Sequence, residues 1–191
     1  MRVIAGKARS IPLISPPGND TRPTTDKIKE TLFNILQQDI PGCVFVDCFA
    51  GSGAIGIEAL SRGAEKAVFV DHGREAFDCI TKNLEKTKLK EKAVVFRSEM
   101  LSAVSGIKAN ISDDTDTVYF LDPPYDEGLE YPLIKILAKE GMIRSCDLLI
   151  IEKSLNDGTM EELTALCDAL GLLIFREKRY KNQRHLFIRK A

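Results

Sequence analysis

The sequence is poor in the residues that build metal centres and covalent cross-links. It has only two histidines, His72 and His185, and five cysteines, Cys43, Cys48, Cys79, Cys146 and Cys167, an odd and scattered set with no C-x-x-C pair. Zinc sites need clustered ligands and disulfide frameworks an even count, so neither is expected, and the compartment reads as a reducing one. Most of these cysteines lie in apolar runs, where they read as small buried hydrophobes. Long hydrophobic runs are missing too: none approaches the roughly 20 residues of a membrane span. The opening M-R-V-I-A-G-K has no apolar core of the secretory type. A soluble, cytoplasmic chain without membrane or metal is the expectation.

An excess of charge is also absent, with 27 basic against 28 acidic residues and a net charge of -1. Its layout is nonetheless uneven. Residues 1 to 29 carry six basic and two acidic side chains, and residues 176 to 191 carry seven and one, which leaves a net -11 on the body between them. Solvated surface charge fits these counts, and so does a polyanion-binding face if the fold joins the two ends.

With 191 residues and 44% hydrophobic content the chain can bury a sizeable core in one domain with a short appendage. Apolar runs bounded by turn signals recur at Cys43–Phe49, Ala67–Asp71, Ala93–Arg97, Thr117–Leu121, Asp147–Glu152, Leu172–Arg176 and His185–Arg189. Their length and composition fit strands buried on both faces. Helical patterns alternate with them at Ala54–Arg62, Glu75–Lys86, Met100–Ala109, Leu129–Glu140 and Met160–Leu170. This alternation predicts an α/β fold, Rossmann-like, whose seven-stranded sheet is mostly parallel with helices on both faces. The last two strands are joined only by Tyr180 to Arg184, too short for a parallel crossover, so they should form an antiparallel hairpin. Thr24-Thr25-Asp26 opens an amphipathic run, Ile28, Leu32, Ile35 and Leu36, that predicts a capped helix. Residues 1–23 are expected to be a basic arm or small hairpin ahead of a main domain, 24–191.

Gly51, Gly53 and Gly56 satisfy G-x-G-x-x-G between the first strand and a helix, and Asp71, twenty residues after Gly51, closes the second strand. That arrangement predicts a nucleotide-type ligand with Asp71 on its ribose. Asp47, four residues before the first glycine, decides between ligands. A carboxylate there would repel the pyrophosphate of a nicotinamide dinucleotide. It complements the ammonium and sulfonium of S-adenosylmethionine, so D-x-F-x-G-x-G reads as a methyl-donor site.

Phe120–Tyr125, F-L-D-P-P-Y, ends the fourth strand, beside the switch point where open parallel sheets bind ligands. Pro123 and Pro124 stiffen the turn and bring no N–H of their own. The Asp122 carboxylate and a proline carbonyl offer two acceptors for the two hydrogens of an exocyclic base amine. Asp122 can then take up a proton as charge develops, while Tyr125 offers a face for an extruded base.

These segments, with R-V-I-A-G-K at Arg2–Lys7, R-P-T-T-D-K-I-K-E-T-L-F-N at Arg22–Asn34 and D-C-F-A-G-S-G-A-I-G-I-E-A-L-S-R-G-A at Asp47–Ala64, resemble class I methyltransferases that modify nucleobase amines. Among these the chain resembles the RsmD family of 16S rRNA guanine-N2 methyltransferases, and the R-P-T-T-D segment is what narrows it. The resemblance implies that Asp47, Phe49, Gly51 and Gly53 line the methionine end of S-adenosylmethionine, with Asp71 at the ribose. It implies Thr24 and Phe33 in a helix over the donor, and Glu99 and Met100 at its adenine, Glu99 standing where the family has an aspartate. Asp122, Pro123 and Tyr125 would receive the base beside Pro124, and Lys7, Arg9 and Arg22 would grip phosphates of 16S rRNA or of a small-subunit particle. The family's target is guanine 966, and a monomer is the expected state. Lys181-Asn182 replaces the family's usual glycine in the final hairpin. Three other readings fit parts of the sequence: an adenine-N6 methyltransferase on DNA or RNA, a non-catalytic RNA-binding or ribosome-assembly module, and a nicotinamide oxidoreductase, which Asp47 disfavours.

Overall fold

A computed structural model describes residues 1–16, 25–124, 127–156 and 159–191. The central sheet has seven strands: β1 (Val44–Asp47), β2 (Lys66–Asp71), β3 (Ala93–Arg97), β4 (Thr117–Leu121), β5 (Leu148–Ser154), β6 (Leu172–Arg179) and β7 (Gln183–Lys190). They lie in the order β3-β2-β1-β4-β5-β7-β6. The first five run parallel, and β7 enters antiparallel between β5 and β6. Chain order reverses at β1 and β4, which opens a crevice beyond their carboxyl ends.

Six α-helices are present among the described residues: α1 (Asp26–Ile35), α2 (Ala54–Ser61), α3 (Arg74–Thr87), α4 (Met100–Lys108), α5 (Glu130–Lys139) and α6 (Met160–Ala169). Strand side chains alternate between two cores. Phe45, Phe69, Phe120, Ile150 and Phe187 pack with residues of α1, α2 and α3, whereas Val46, Val68, Tyr119, Leu121 and Ile151 pack with α4, α5 and α6. No helix among the described residues is long and apolar enough to cross a membrane.

Several expectations needed adjustment. Strands β3 and β6 are half exposed rather than buried on both faces, because they form the two edges of the sheet. The hairpin is longer than its apolar runs, since pairing continues out to Arg179 opposite Arg184. Its turn closes with Tyr180 N–H donating to the Gln183 carbonyl at 2.8 Å. Neither Lys181 nor Asn182 takes a positive φ, so this turn asks for no glycine.

The first 16 residues contain one isolated antiparallel bridge, Arg2 to Pro12, and are fastened along α2. The Glu58 carboxylate accepts from Ile4 N–H at 2.8 Å and Ala5 N–H at 3.0 Å. Ser61 Oγ accepts from Ala8 N–H at 2.9 Å and donates to the Ala5 carbonyl at 2.6 Å. Val3, Ala8 and Leu13 join the same core as α1 to α3. Covered by the arm on one side and the sheet on the other, all eight residues of α2 are buried. A helix enclosed in this way has no need of a solvated face, which explains why A-I-G-I-E-A-L-S is apolar except for Glu58 and Ser61, the two residues that bond the arm.

Candidate active site

The crevice holds a cavity of about 820 Å³, the size of a site for a nucleoside-like molecule. One wall is the glycine loop. Gly51 and Gly53 take φ of 52° and 74°, in the left-handed region open to glycine, and Gly53 caps α2. Gly56 sits over Phe69, where a Cβ would come within 2.3 Å of the ring, so helix and strand can approach only with glycine here. Asp71 holds the loop: its Oδ2 accepts from Gly51 N–H and its Oδ1 from Gly73 N–H, both at 2.8 Å. Asn83 ties the loop to the arm, donating to the Ser52 and Ile14 carbonyls at 2.9 Å each and accepting from Ile14 N–H at 2.8 Å.

A row of acids forms the floor at the ends of three adjacent strands. Asp47 pairs in register with Phe120, and Phe120 with Ile150, so one residue pair beyond the last ladder step the sequence places Asp122 level with Glu152. Asp47 is 2% exposed and accepts from Gly56 N–H at 3.0 Å. Burial pushes its pKa up to about 7, with Asp122 and Asp71 adding repulsion. Asp122 is held well above the usual carboxylate range, first by burial and then by the negative charge of Glu152. A half-buried acid with raised proton affinity, facing a crevice, is poised to accept a proton.

Behind Asp122 stands a buried polar group of Glu152, Gln183 and His185, which the sequence reading did not single out. Gln183 Nε2 donates to Glu152 Oε1. His185 Nε2 lies 2.8 Å from Glu152 Oε2, and Tyr180 Oη lies 3.1 Å from His185 Nδ1. Burial lowers the His185 pKa to about 4, so the ring is neutral at pH 7. The partners fit one tautomer: Nε2–H donates to the carboxylate and Nδ1 accepts from the phenol.

Asp47, Phe49, Gly51, Asp71, Glu99, Met100, Asp122, Pro123 and Pro124 all line the cavity, and Glu152 and Gln183 line it with them. Gly53 lies just behind the loop, buried against Ile80. Phe33 is elsewhere: it is fully buried in the core, with its ring centroid 6.2 Å from that of Phe45 and the Arg62 guanidinium carbon 5.2 Å from its own. Thr25 and Ile28, one to two turns earlier, are the α1 residues at the cavity. Lys7 and Arg9 are exposed on the docked arm, whose Met1, Ser15 and Pro16 reach the rim. Arg22, Thr24 and Tyr125 lie outside the described residues. Much of the basic charge at the chain's end has acidic partners, with Arg184 and Arg179 on Glu177 and Arg189 on Asp39.

Comparison with known proteins places this geometry in context. The profile of the family described as Conserved hypothetical protein 95 matches residues 1–188. The chain is 36% identical over 159 residues to ribosomal RNA small subunit methyltransferase D of Escherichia coli K12, covering 83% of this chain and 77% of that one. It is 35% identical over 155 residues to the protein of the same name from Haemophilus influenzae, covering 80% and 78%. Among solved structures, the E. coli protein yhhF, described as a candidate methyltransferase, superposes with a TM-score of 0.77 at 30% identity over 100% of this chain and 97% of that one. A hypothetical protein of Thermus thermophilus gives 0.75 at 26% identity over 99% of each chain.

Proposed function

The chain belongs to the Conserved hypothetical protein 95 family, to which the RsmD rRNA methyltransferases belong, and from that premise we propose that it methylates the exocyclic N2 of a guanine in 16S rRNA using S-adenosylmethionine. The carrying observation is that Asp122, at the D-P-P turn, lines one cavity with the buried Asp47 and the glycine loop. Family resemblance supports guanine 966 as the target and the cytoplasm as the place of action.

The cavity residues fit such a donor. Asp47 is a buried acid whose pKa of about 7 reflects unfavourable isolation of its charge, and a cationic ligand group would relieve it. Each Asp71 oxygen keeps a second lone pair beyond its backbone donor, available to ribose hydroxyls. Glu99 and Met100 stand at the other end, beside Ser98, for the adenine. When bound, the donor supplies an electrophilic methyl on a sulfonium.

The protein's own contribution is positioning and proton handling. Asp122 and the Pro123 carbonyl accept the two amine hydrogens, which draws the nitrogen lone pair out of conjugation and aims it into the cavity. Asp122 then receives a proton as the amine gains positive charge, a task its raised proton affinity suits. Tyr125 stacks on the extruded base, and Lys7, Arg9 and Arg22 hold the RNA backbone. The test is incubation with labelled donor and 16S rRNA, free or in small-subunit particles, followed by mass spectrometry of nucleosides. N2-methylguanosine is expected; N6-methyladenosine as the product would overturn the assignment.

A further inference from the structure

Asp122 and Pro123 account for a base amine, yet they leave guanine and adenine undistinguished, since both carry one. The difference lies at ring N1: guanine presents an N1–H donor next to its 2-amino group, and adenine presents a bare N1 acceptor next to its 6-amino group. A residue that tells them apart must stand beside Asp122, be an obligate acceptor and be held so that it cannot turn away.

Glu152 meets these conditions. It lines the cavity with Asp122, Pro123 and Phe120, and the β4–β5 register puts it level with Asp122 on the neighbouring strand. It is 5% exposed, and both its oxygens are fixed by donors, Gln183 Nε2 on Oε1 and His185 Nε2 on Oε2. His185 is fixed in turn by Tyr180 and by the edge of Phe120, whose ring centroid is 5.9 Å from its own. An ionised carboxylate accepts through about four lone-pair positions on its two oxygens and has nothing to offer an acceptor. We infer that Glu152 is a specificity-determining residue, accepting the ring N1–H of the target base and thereby selecting a guanine-type edge over an adenine-type one. The inference rests on the proposed methylation of a guanine amine. Selection works by penalty as much as by gain: a base with a bare N1 would bring its lone pair against a buried carboxylate.

The groups that face this acid come from the two strands beside β5: Asp122 after β4, and Gln183 and His185 on β7. In the ionised form that methylation by this route requires, Asp122 cannot donate to a bare N1.

The test compares two synthetic small-subunit RNAs, assembled into particles where the enzyme requires them, with guanine or 2,6-diaminopurine at the modified position. Both bases carry the 2-amino group, and only guanine has N1–H. The wild-type enzyme should favour guanine in kcat/KM by at least about tenfold, as expected where a site built to bond a hydrogen meets an analogue lacking it. In Glu152→Gln the ratio should fall towards unity, because a carboxamide can donate to the bare N1. Wild-type methylation of the two bases within about twofold, a difference of less than 0.5 kcal/mol, would overturn the inference. So would a Glu152→Gln enzyme that slows both bases equally, the sign of a merely structural role. If Glu152→Gln does not fold, judged by melting and by donor calorimetry, the wild-type comparison still decides. Failure of the parent reading is distinct: no methyl would appear on any 2-amino group, and both proposals would fall.

Discussion

His185 and Glu152 stand opposite each other across the antiparallel β5–β7 pair, with imidazole Nε2 2.8 Å from carboxylate Oε2. The hairpin at the end of the chain thus reaches the active-site crevice, because β7 inserts between β5 and β6 and delivers both His185 and Gln183 to the β5 acid. Glu152 in turn raises the proton affinity of Asp122.

Asp122 should therefore act as a base with an acid limb above the ordinary carboxylate range. Methylation requires its ionised form, so kcat should rise with pH through that raised pKa. Asp122→Ala should lower kcat by about 10²- to 10⁴-fold, the usual worth of a positioned acid or base, and leave donor binding largely intact. Steady-state rates across pH, with calorimetry of the donor, check both statements. Lost donor affinity with retained turnover would contradict this division of labour.

Asp47 makes donor binding a protonic event. Its pKa of about 7 leaves it partly protonated at neutrality, and a cationic ligand favours the charged carboxylate. Binding of S-adenosylmethionine at pH 7 should release a fraction of a proton, and affinity should rise as pH increases from 6 to 8. Calorimetry in buffers of different ionisation enthalpy measures the release. Asp47→Asn should abolish it and weaken binding.

Two buried groups pull acid stability in opposite directions. His185 has a folded pKa of about 4 against an ordinary 6.5, so as pH falls through this interval the unfolded chain takes up the proton first and stability drops. Asp47 has a folded pKa of about 7 against 3.8, so the folded chain takes up the proton first and stability rises as pH falls through 7 towards 3.8. The wild type should show a shallow net dependence from these two groups between pH 4 and 6.5. Asp47→Asn should leave stability climbing more steeply with pH there, and His185→Asn should shift the slope the other way. Urea melts at several pH values in the absence of donor resolve the slopes.

What the sequence disclosed and what it hid follow from the range of each signal. The glycine loop, Asp47, Asp71 and the D-P-P turn are written in contiguous stretches at strand ends, where chain position and chemistry coincide, and all of them except Gly53 and Gly56 meet at the cavity. Glu152 and Gln183 are 31 residues apart and come together only through antiparallel register, which no local pattern states. Phe33 lies away from the cavity for a geometric reason. It is five residues from Ile28, about 140° around the helix at 3.6 residues per turn, so the two cannot face the same side. Ile28 takes the cavity and Phe33 the core. The arm's attachment was hidden because Glu58 and Ser61 look like chance polar residues in an apolar helix, whereas they receive the backbone of residues 4 to 8.

That attachment centres on a buried ion pair, Lys29 Nζ with Glu58 Oε2 at 3.2 Å, both side chains fully enclosed. Lys29 also donates to the Arg2 carbonyl at 2.6 Å, and burial lowers its pKa. Glu58→Gln would strand the ammonium and misalign the arm's N–H donors, at a cost of about 3 to 5 kcal/mol. Arg2→Ala, which breaks only the exposed pair with Asp26, should cost under about 1 kcal/mol. Denaturant unfolding of the two variants measures the contrast, and equal small effects would show that the pair does not hold the arm.

Because the arm is fixed by Glu58 and Ser61, the exposed Lys7 and Arg9 are held at a set distance from the cavity rather than on a loose tail, and the proposed function puts RNA against them. Each should neutralise about one phosphate, and each phosphate contact contributes close to one unit, about 0.7 to 0.9, to the slope of log K against log salt. Lys7→Ala with Arg9→Ala should thus weaken RNA binding across sequences and flatten that slope by about 1.4 to 1.8. Donor affinity and kcat at saturating RNA should stay unchanged, because neither side chain lines the cavity. Filter binding over a range of potassium concentrations reads the slope directly. A double variant with the wild-type slope would place the RNA backbone on another face of the molecule.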